Sequence, residues 1–180
     1  LHIFDFDGTL FRSPSPHPRL LSQLGPYVTW PTFSEGLGWF QNMRTMTPPL
    51  VPQHPDASWF NGHVVEAFAR ARRLRGDYIV VLTGREEYFR ERVAELLRSQ
   101  GLVPDALILK ESAESRTTES KFATVVRLLD ESKFDRIVWH DDHVKLVHRV
   151  VDMLVEAGRH IRIDIRPVRD GATELSAEVE

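Results

Sequence analysis

From Tyr78 onward, apolar runs of strand length alternate with amphipathic stretches of helix length. Tyr78 to Leu82 is a continuous apolar run, the pattern of a parallel strand buried on both faces. Glu86 to Gln100 places Phe89, Val93, Leu96 and Leu97 at helical spacing and ends at Gly101. Ala106 to Leu109, Arg136 to His140 and His160 to Ile165 read as further strands. Ser120 to about Asp130 and His143 to Ala157 read as helices, the last closed by Gly158. Leu1 to Phe6 is the first strand. Such alternation admits one economical solution, an α/β fold whose parallel sheet carries helices on both faces.

One stretch breaks the pattern. Pro14, Pro16, Pro18, Pro26, Pro31, Pro48, Pro49, Pro52 and Pro55 are nine of the chain's 11 prolines. Proline fixes φ and removes a donor, so residues 13–55 are expected to be a mostly non-helical insertion. A long irregular segment inside a compact domain is usually functional. Trp30, Phe33, Trp39 and Phe40, with Trp59 and Phe60 just beyond, are expected to form a small core beneath it, one exposed Trp aside. Asp56 or Ser58 is the expected cap of a helix running to about Arg75 and ended by Gly76. The domain is therefore read as residues 1–166 and the polar end, 167–180, as a tail. Leu1 in place of Met, directly before chemistry-bearing residues, suggests a unit cut from a longer chain with flanking domains.

Composition narrows the chemistry. With no cysteine, thiolate zinc sites, disulfides and a cysteine nucleophile are excluded. A formal charge of −3 carries no global nucleic-acid signature. No apolar run approaches the roughly 18 residues of a membrane span, so no membrane partner is expected. The compartment is left unknown, an intracellular one (cytoplasmic or nuclear) being the leading expectation.

In an open parallel sheet ligands gather beyond the carboxyl ends of the strands, and four groups of residues fall there. Asp5-Phe6-Asp7-Gly8-Thr9 follows the first strand and Thr83-Gly84-Arg85 the second. Lys121 begins the third helix, and Asp141-Asp142 follows the fourth strand. Two carboxylates two residues apart, joined by a third from another strand end, make an oxygen-rich site for a hard cation, Mg²⁺. Thr83 offers a hydroxyl beside a helix N-terminus, and Lys121 a positive charge, both suited to phosphate oxygens. The set suits phosphoryl transfer, with Asp5 as nucleophile and Asp7 as acid and base.

These four groups, in this order, resemble the motifs of the haloacid dehalogenase (HAD) superfamily over roughly residues 1–165. The resemblance implies a Rossmann-like parallel sheet and a Mg²⁺-dependent phosphatase working through a phosphoaspartate. Asp5, Asp7, Thr83 and Lys121 would be the catalytic set. Asp5, the Asp7 carbonyl and one carboxylate of the Asp141-Asp142 pair would hold the metal, with Asp142 favoured over Asp141. A second aspartate in the first motif marks the phosphatase branch rather than the dehalogenases. A narrower resemblance lies in Asp7-Gly8-Thr9-Leu10-Phe11-Arg12-Ser13-Pro14, Pro48-Pro49-Leu50-Val51-Pro52, Pro55-Asp56-Ala57-Ser58-Trp59-Phe60-Asn61 and Leu82-Thr83-Gly84-Arg85. These segments are similar to the phosphatase-like domain of Swiss Army Knife RNA-repair proteins. Thr83-Gly84-Arg85 also resembles the phosphatase half of polynucleotide kinase-phosphatases. The implied substrate is a 2′- or 3′-phosphate at an RNA end.

Around this core, Arg85, Gly84 and Arg12 are the candidate substrate contacts. An ion pair of Arg85 with Glu86 or Glu119 is its alternative role. His143 and Lys110 lie at the catalytic edge, where Lys110 can reach a nucleic-acid backbone. Arg70, Arg72, Arg73 and Arg75 tempt an RNA-binding reading, but their helix runs away from the catalytic edge, where basic residues complement its dipole. His17 and His54 have no metal-ligand spacing and read as loop residues. Three other functions stay open: a phosphatase of nucleotides or sugars, a protein phosphatase, and a non-catalytic RNA-binding module.

Overall fold

The computed structural model describes residues 1–15, 39–74, 76–111 and 115–169. Five strands form one parallel sheet: β1 (His2–Phe4), β2 (Ile79–Glu86), β3 (Ala106–Lys110), β4 (Arg136–Asp141) and β5 (Arg162–Pro167). Their order is β3-β2-β1-β4-β5. The chain builds outward from β1 through β2 to β3, then crosses to the other side for β4 and β5. That reversal opens a crevice at the carboxyl end of β1, between its two neighbours.

Four helices cover the faces: α1 (Gly62–Arg73), α2 (Arg90–Ser99), α3 (Thr117–Glu131) and α4 (Val144–Glu156). Strand alternation sorts the core into two layers. Phe4, Ile79 and Val81 join Phe68 of α1 and Val93, Leu96 and Leu97 of α2. Ile3, Val80, Leu82, Ile137 and Trp139 face the other way, onto Val125 and Leu128 of α3 and Val147, Val150 and Leu154 of α4. Each such side chain taken from water contributes about 1.5–3 kcal/mol before entropy is counted.

Several element boundaries differ from expectation, among them the start of α3, at Thr117 rather than Ser120. Asp56 caps a 3₁₀ turn, Ala57–Trp59, with Oδ1 accepting from the Ser58 amide at 2.8 Å, whereas α1 starts only at Gly62. Phe60 lies between them as extended chain, bridged to Phe11. The loop that follows β1 thus pairs with the chain just before α1. β2 runs four residues past Leu82, and Glu86 still pairs with Lys110 of β3 across an irregularity. Thr83-Gly84-Arg85 is therefore strand, and α2 waits until Arg90, after a 3₁₀ turn over Glu87–Phe89. Finally, Pro167 ends β5 and Val168 is buried, its amide donating to the Asp141 carbonyl at 3.1 Å. The sheet thus reaches past residue 166, and the rest of the expected tail, 170–180, lies outside the described residues.

The C-terminal half of the insertion packs onto the domain. Trp39 is buried, and its Nε1 donates to the Pro14 carbonyl at 2.6 Å. Arg92 of α2 donates to the carbonyls of Met46, Pro52 and Gln53 at 2.8–2.9 Å, so one guanidinium pins the irregular chain at two places. Among the described aromatics of this region Phe60 is buried, Trp59 packs against the core, and Phe40, not a Trp, is exposed. Trp30, Phe33 and His17 lie outside the described residues, and His54 is exposed.

Candidate active site

Asp5 follows β1 directly; its amide still bonds to the His140 carbonyl of β4 at 2.9 Å, so the sheet fixes where its side chain points. Gly8 then turns the chain at φ +70°. A Cβ on Gly8 would lie 2.4 Å from Asp142 Oδ2, so both the turn and the approach of that carboxylate require glycine. Phe6 and Phe11 stack at 5.4 Å and anchor the loop in the core. Asn61 closes it from outside, with Nδ2 donating to the carbonyls of Thr9 at 2.7 Å and Gly8 at 3.3 Å.

Lys121, one turn inside α3 rather than at its start, reaches the same spot. Its Nζ donates to Asp5 Oδ1 at 2.7 Å and Asp141 Oδ2 at 2.8 Å, with all three groups buried. Asp141 is further held by Trp139 Nε1 at 3.2 Å and the His143 amide at 2.8 Å. Asp142 is the more open member of the pair, and Thr9 sets it: Oγ1 accepts from the Asp142 amide at 3.0 Å. Carboxylate oxygens of Asp5, Asp141 and Asp142 all fall within 4.8 Å of one another. Burial pushes the Asp5 carboxyl well above the usual carboxylate range, and Asp141 and Asp7 push the same way against Lys121. Burial and Asp141 likewise raise Asp142. Burial would lower the Lys121 ammonium, but Asp5 and Asp141 outweigh it and hold Lys121 above its ordinary value.

Asp7 lies on the other side of Asp5, in a separate charge pair. Arg85 Nη2 meets Asp7 Oδ1 at 2.7 Å, and Nε reaches both oxygens at 2.9 and 3.0 Å. Ser13 Oγ donates to Oδ1 at 2.5 Å and Thr83 Oγ1 to Oδ2 at 3.4 Å. Arg85 is thus neither a helix-start residue nor paired with Glu86 or Glu119. Thr83 is a strand residue, and its hydroxyl accepts from the Arg85 amide at 3.1 Å. An extended backbone turns residues two apart to one side, which brings Thr83 and Arg85 together onto Asp7. Gly84 between them is crowded by α3, since a Cβ there would meet Thr117 Cγ2 at 2.7 Å.

A cavity of about 360 Å³ opens over Asp5, Asp7 and Arg85, whereas Thr83 is buried and is not among its lining residues. Asp5, Asp7, Lys121, Asp141 and Asp142 line its floor, and Phe40, Gln41, Lys110 and His143 contribute to its walls. Lys110 Nζ, buried, donates to the Ser115 carbonyl at 3.3 Å. Gln41 is fixed by bonds to the Gly84 carbonyl and the Glu86 amide at 3.0 and 3.3 Å. Arg12 is absent from the lining; its Nε donates to Asn61 Oδ1 at 2.9 Å, behind the loop. The arginines of α1 sit at the far edge, where Arg72 meets Asp105 at 2.9 Å beside the start of β2. Arg75 lies outside the described residues. Gln41 carries no signal in the sequence, because an ordinary polar residue becomes a site residue only by where the insertion lands; Ser13 and Asn61 fall within the segments of narrower resemblance, but their contacts are visible only in the fold.

Comparison with known proteins agrees with this layout. The profile of HAD domain family 1 in Swiss Army Knife RNA repair proteins matches residues 13–180. The chain belongs to that family. Its fold is also that of the HAD domain of effector protein Lem4 from Legionella pneumophila, solved as an inactive mutant. The two share 14% identity at a TM-score of 0.50, over 96% of this chain and 87% of that one. At that identity the likeness speaks for the fold alone. Membership supports a phosphatase-like function for this HAD domain. No described helix is long and apolar enough to cross a membrane.

Proposed function

We propose that this domain is a Mg²⁺-dependent phosphomonoesterase that removes a 2′- or 3′-phosphate from RNA ends. The observation that carries the chemistry is the arrangement of its two carboxylates. Asp5 is buried at the cavity floor against Lys121, and Asp7, two residues on, is held apart from it by Arg85. This difference in surroundings supports attack by Asp5 and proton transfer by Asp7.

In this reading Asp5 attacks phosphorus as the bond to the leaving oxygen breaks, and Asp7 gives that oxygen its proton. A phosphoaspartate remains. Asp7, now a carboxylate, takes a proton from water, which attacks phosphorus and releases phosphate and Asp5. Lys121 and the Thr83 hydroxyl stabilise the charge that develops on the phosphoryl oxygens.

The acidic cluster fits a divalent cation. Three carboxylates face one ammonium, which leaves an excess of negative charge on the cavity floor. Asp5, Asp142 and the Asp7 carbonyl would hold Mg²⁺, which supplies charge neutralisation for the phosphate. Asp142 suits that role better than Asp141, both of whose oxygens are engaged by Lys121, Trp139 and the His143 amide.

The RNA assignment rests on the family's setting in RNA-repair proteins, in which flanking domains are expected to accompany it. Phosphate release from matched RNA oligonucleotides carrying a 2′-, 3′- or 5′-phosphate tests it, with Mg²⁺ or EDTA and beside Asp5→Asn. Release from a 2′- or 3′-end that needs metal and Asp5 supports the whole reading. Turnover of mononucleotides or phosphopeptides, with RNA ends untouched, would replace the substrate and keep the chemistry. Wild-type turnover by Asp5→Asn would overturn the mechanism itself.

A further inference from the structure

Arg85 is among the largest fully buried side chains of the described residues; it is 0% exposed. Each nitrogen of its guanidinium has a partner. Nε and Nη2 grip Asp7, while Nη1 donates to the Phe40 carbonyl at 2.9 Å and Thr45 Oγ1 at 3.1 Å. Its plane lies near the Phe89 ring at 4.8 Å and the Phe40 ring at 5.5 Å. Arg85 lines the cavity, yet its hydrogen bonds run to Asp7 and the insertion rather than into open space.

Resting on the phosphatase reading above, we infer that Arg85 is a positioning residue for Asp7, and that the insertion completes it through Phe40 and Thr45. The hydrogen bonds also single out one oxygen. Asp7 Oδ1 accepts from Arg85 Nε, Arg85 Nη2 and Ser13 Oγ, which fills its acceptor sites. Oδ2 has Arg85 Nε at 3.0 Å and Thr83 at 3.4 Å, so it is the oxygen left to carry the proton. When Oδ2 passes that proton to the leaving oxygen, a carboxylate forms directly against Arg85. The pair is stronger after transfer than before, so Arg85 acts where charge develops. The segment 39–46 is in turn held by Arg85, which makes seating of the insertion a condition for a well-aimed Asp7.

A leaving-group comparison tests this, because an alkoxide leaving group needs a proton and a nitrophenolate does not. Values of kcat/KM would be measured on a ribonucleoside 3′-phosphate and on p-nitrophenyl phosphate, for wild type, Asp7→Asn, Arg85→Lys and Thr45→Val. Inhibition by inorganic phosphate would be measured on each. Arg85→Lys is expected to lose on the order of 100-fold on the nucleotide and only a few-fold on the aryl ester, with phosphate inhibition unchanged. Thr45→Val, which leaves the charge in place, is expected to show the same selectivity at smaller amplitude. Equal losses on both esters with weakened phosphate inhibition would make Arg85 a phosphate ligand and overturn the inference. Should Arg85→Lys fail to fold, Thr45→Val decides alone: no selectivity there overturns the tether. A selective defect in Asp7→Asn that neither variant shares leaves the phosphatase reading intact and this inference refuted. Wild-type turnover by Asp5→Asn refutes the phosphatase reading instead.

Discussion

Asp5 and Lys121 stand 116 residues apart in the chain and meet at 2.7 Å, each buried. The contact joins the end of β1 to the second turn of α3, and Lys121 uses its remaining reach on Asp141. One ammonium therefore sets the spacing of two carboxylates that would otherwise repel in a dry site.

Removing that ammonium should be costly. Lys121→Ala is expected to lower stability by about 3–5 kcal/mol, because Asp5 and Asp141 are left buried without a counter-charge. Urea unfolding in EDTA reads this directly. Adding Asp5→Asn to Lys121→Ala should recover part of the loss, since one of the stranded charges disappears; strict additivity would show that the pair is not coupled.

The two members of the Asp141-Asp142 pair should separate by phenotype. Asp142→Asn is expected to weaken Mg²⁺ binding at least about 10-fold with little change in stability. Asp141→Asn, whose oxygens meet Lys121, Trp139 and the His143 amide, should instead lower stability by about 1–3 kcal/mol. Mg²⁺ titration by calorimetry, together with thermal melts, distinguishes them. The reverse pattern would move the metal ligand to Asp141.

Gly8→Ala tests the same site from the backbone. At φ +70° an alanine costs about 1–2 kcal/mol, and its Cβ would collide with the Asp142 carboxylate. Mg²⁺ affinity should fall together with stability, although no ligand has been removed. Retained affinity would show that Asp142 is not needed in its present position.

His140 should make stability fall in mild acid. Burial, helped by His2, Arg166, His63 and Arg70, lowers its pKa from 6.5 to about 4. The ring stacks on Phe4 at 4.5 Å. The unfolded chain binds a proton here below about pH 6.5 and the folded chain does not until about pH 4. Stability is therefore complete above the first value and declines between them. Partial exposure screens the effect, leaving on the order of 2 kcal/mol lost by pH 4.5. Urea midpoints from pH 7.5 to 4.5, in EDTA, should show a slope that His140→Phe flattens.

How much of this was written in the sequence depends on the range of each interaction. The strands at Tyr78, Ala106, Arg136 and His160 and the helices between them are local patterns of hydrophobicity, and all appear in place. Asp5, Asp7, Lys121 and the Asp141-Asp142 pair were legible as well, because a parallel sheet puts every strand end on one edge. The end of β2 was not. Local pattern stops the strand at Leu82, but pairing of Glu86 with Lys110 on the neighbouring strand carries it on. Ladder bonds to another strand leave no trace in the residues that receive them.

That extension decided the partner of Arg85. As a helix-start residue it would face Glu86 or Glu119; as a strand residue it shares a side with Thr83 and turns onto Asp7. Arg12 shows the converse, a motif neighbour that the fold sends behind the loop to Asn61. The sequence by itself determined the sheet, its catalytic edge and the kinds of groups gathered there, since these follow from periodicity and chain order. Only the tertiary structure decided which charge meets which, because an ion pair is chosen by distances of a few ångströms between elements far apart in the chain.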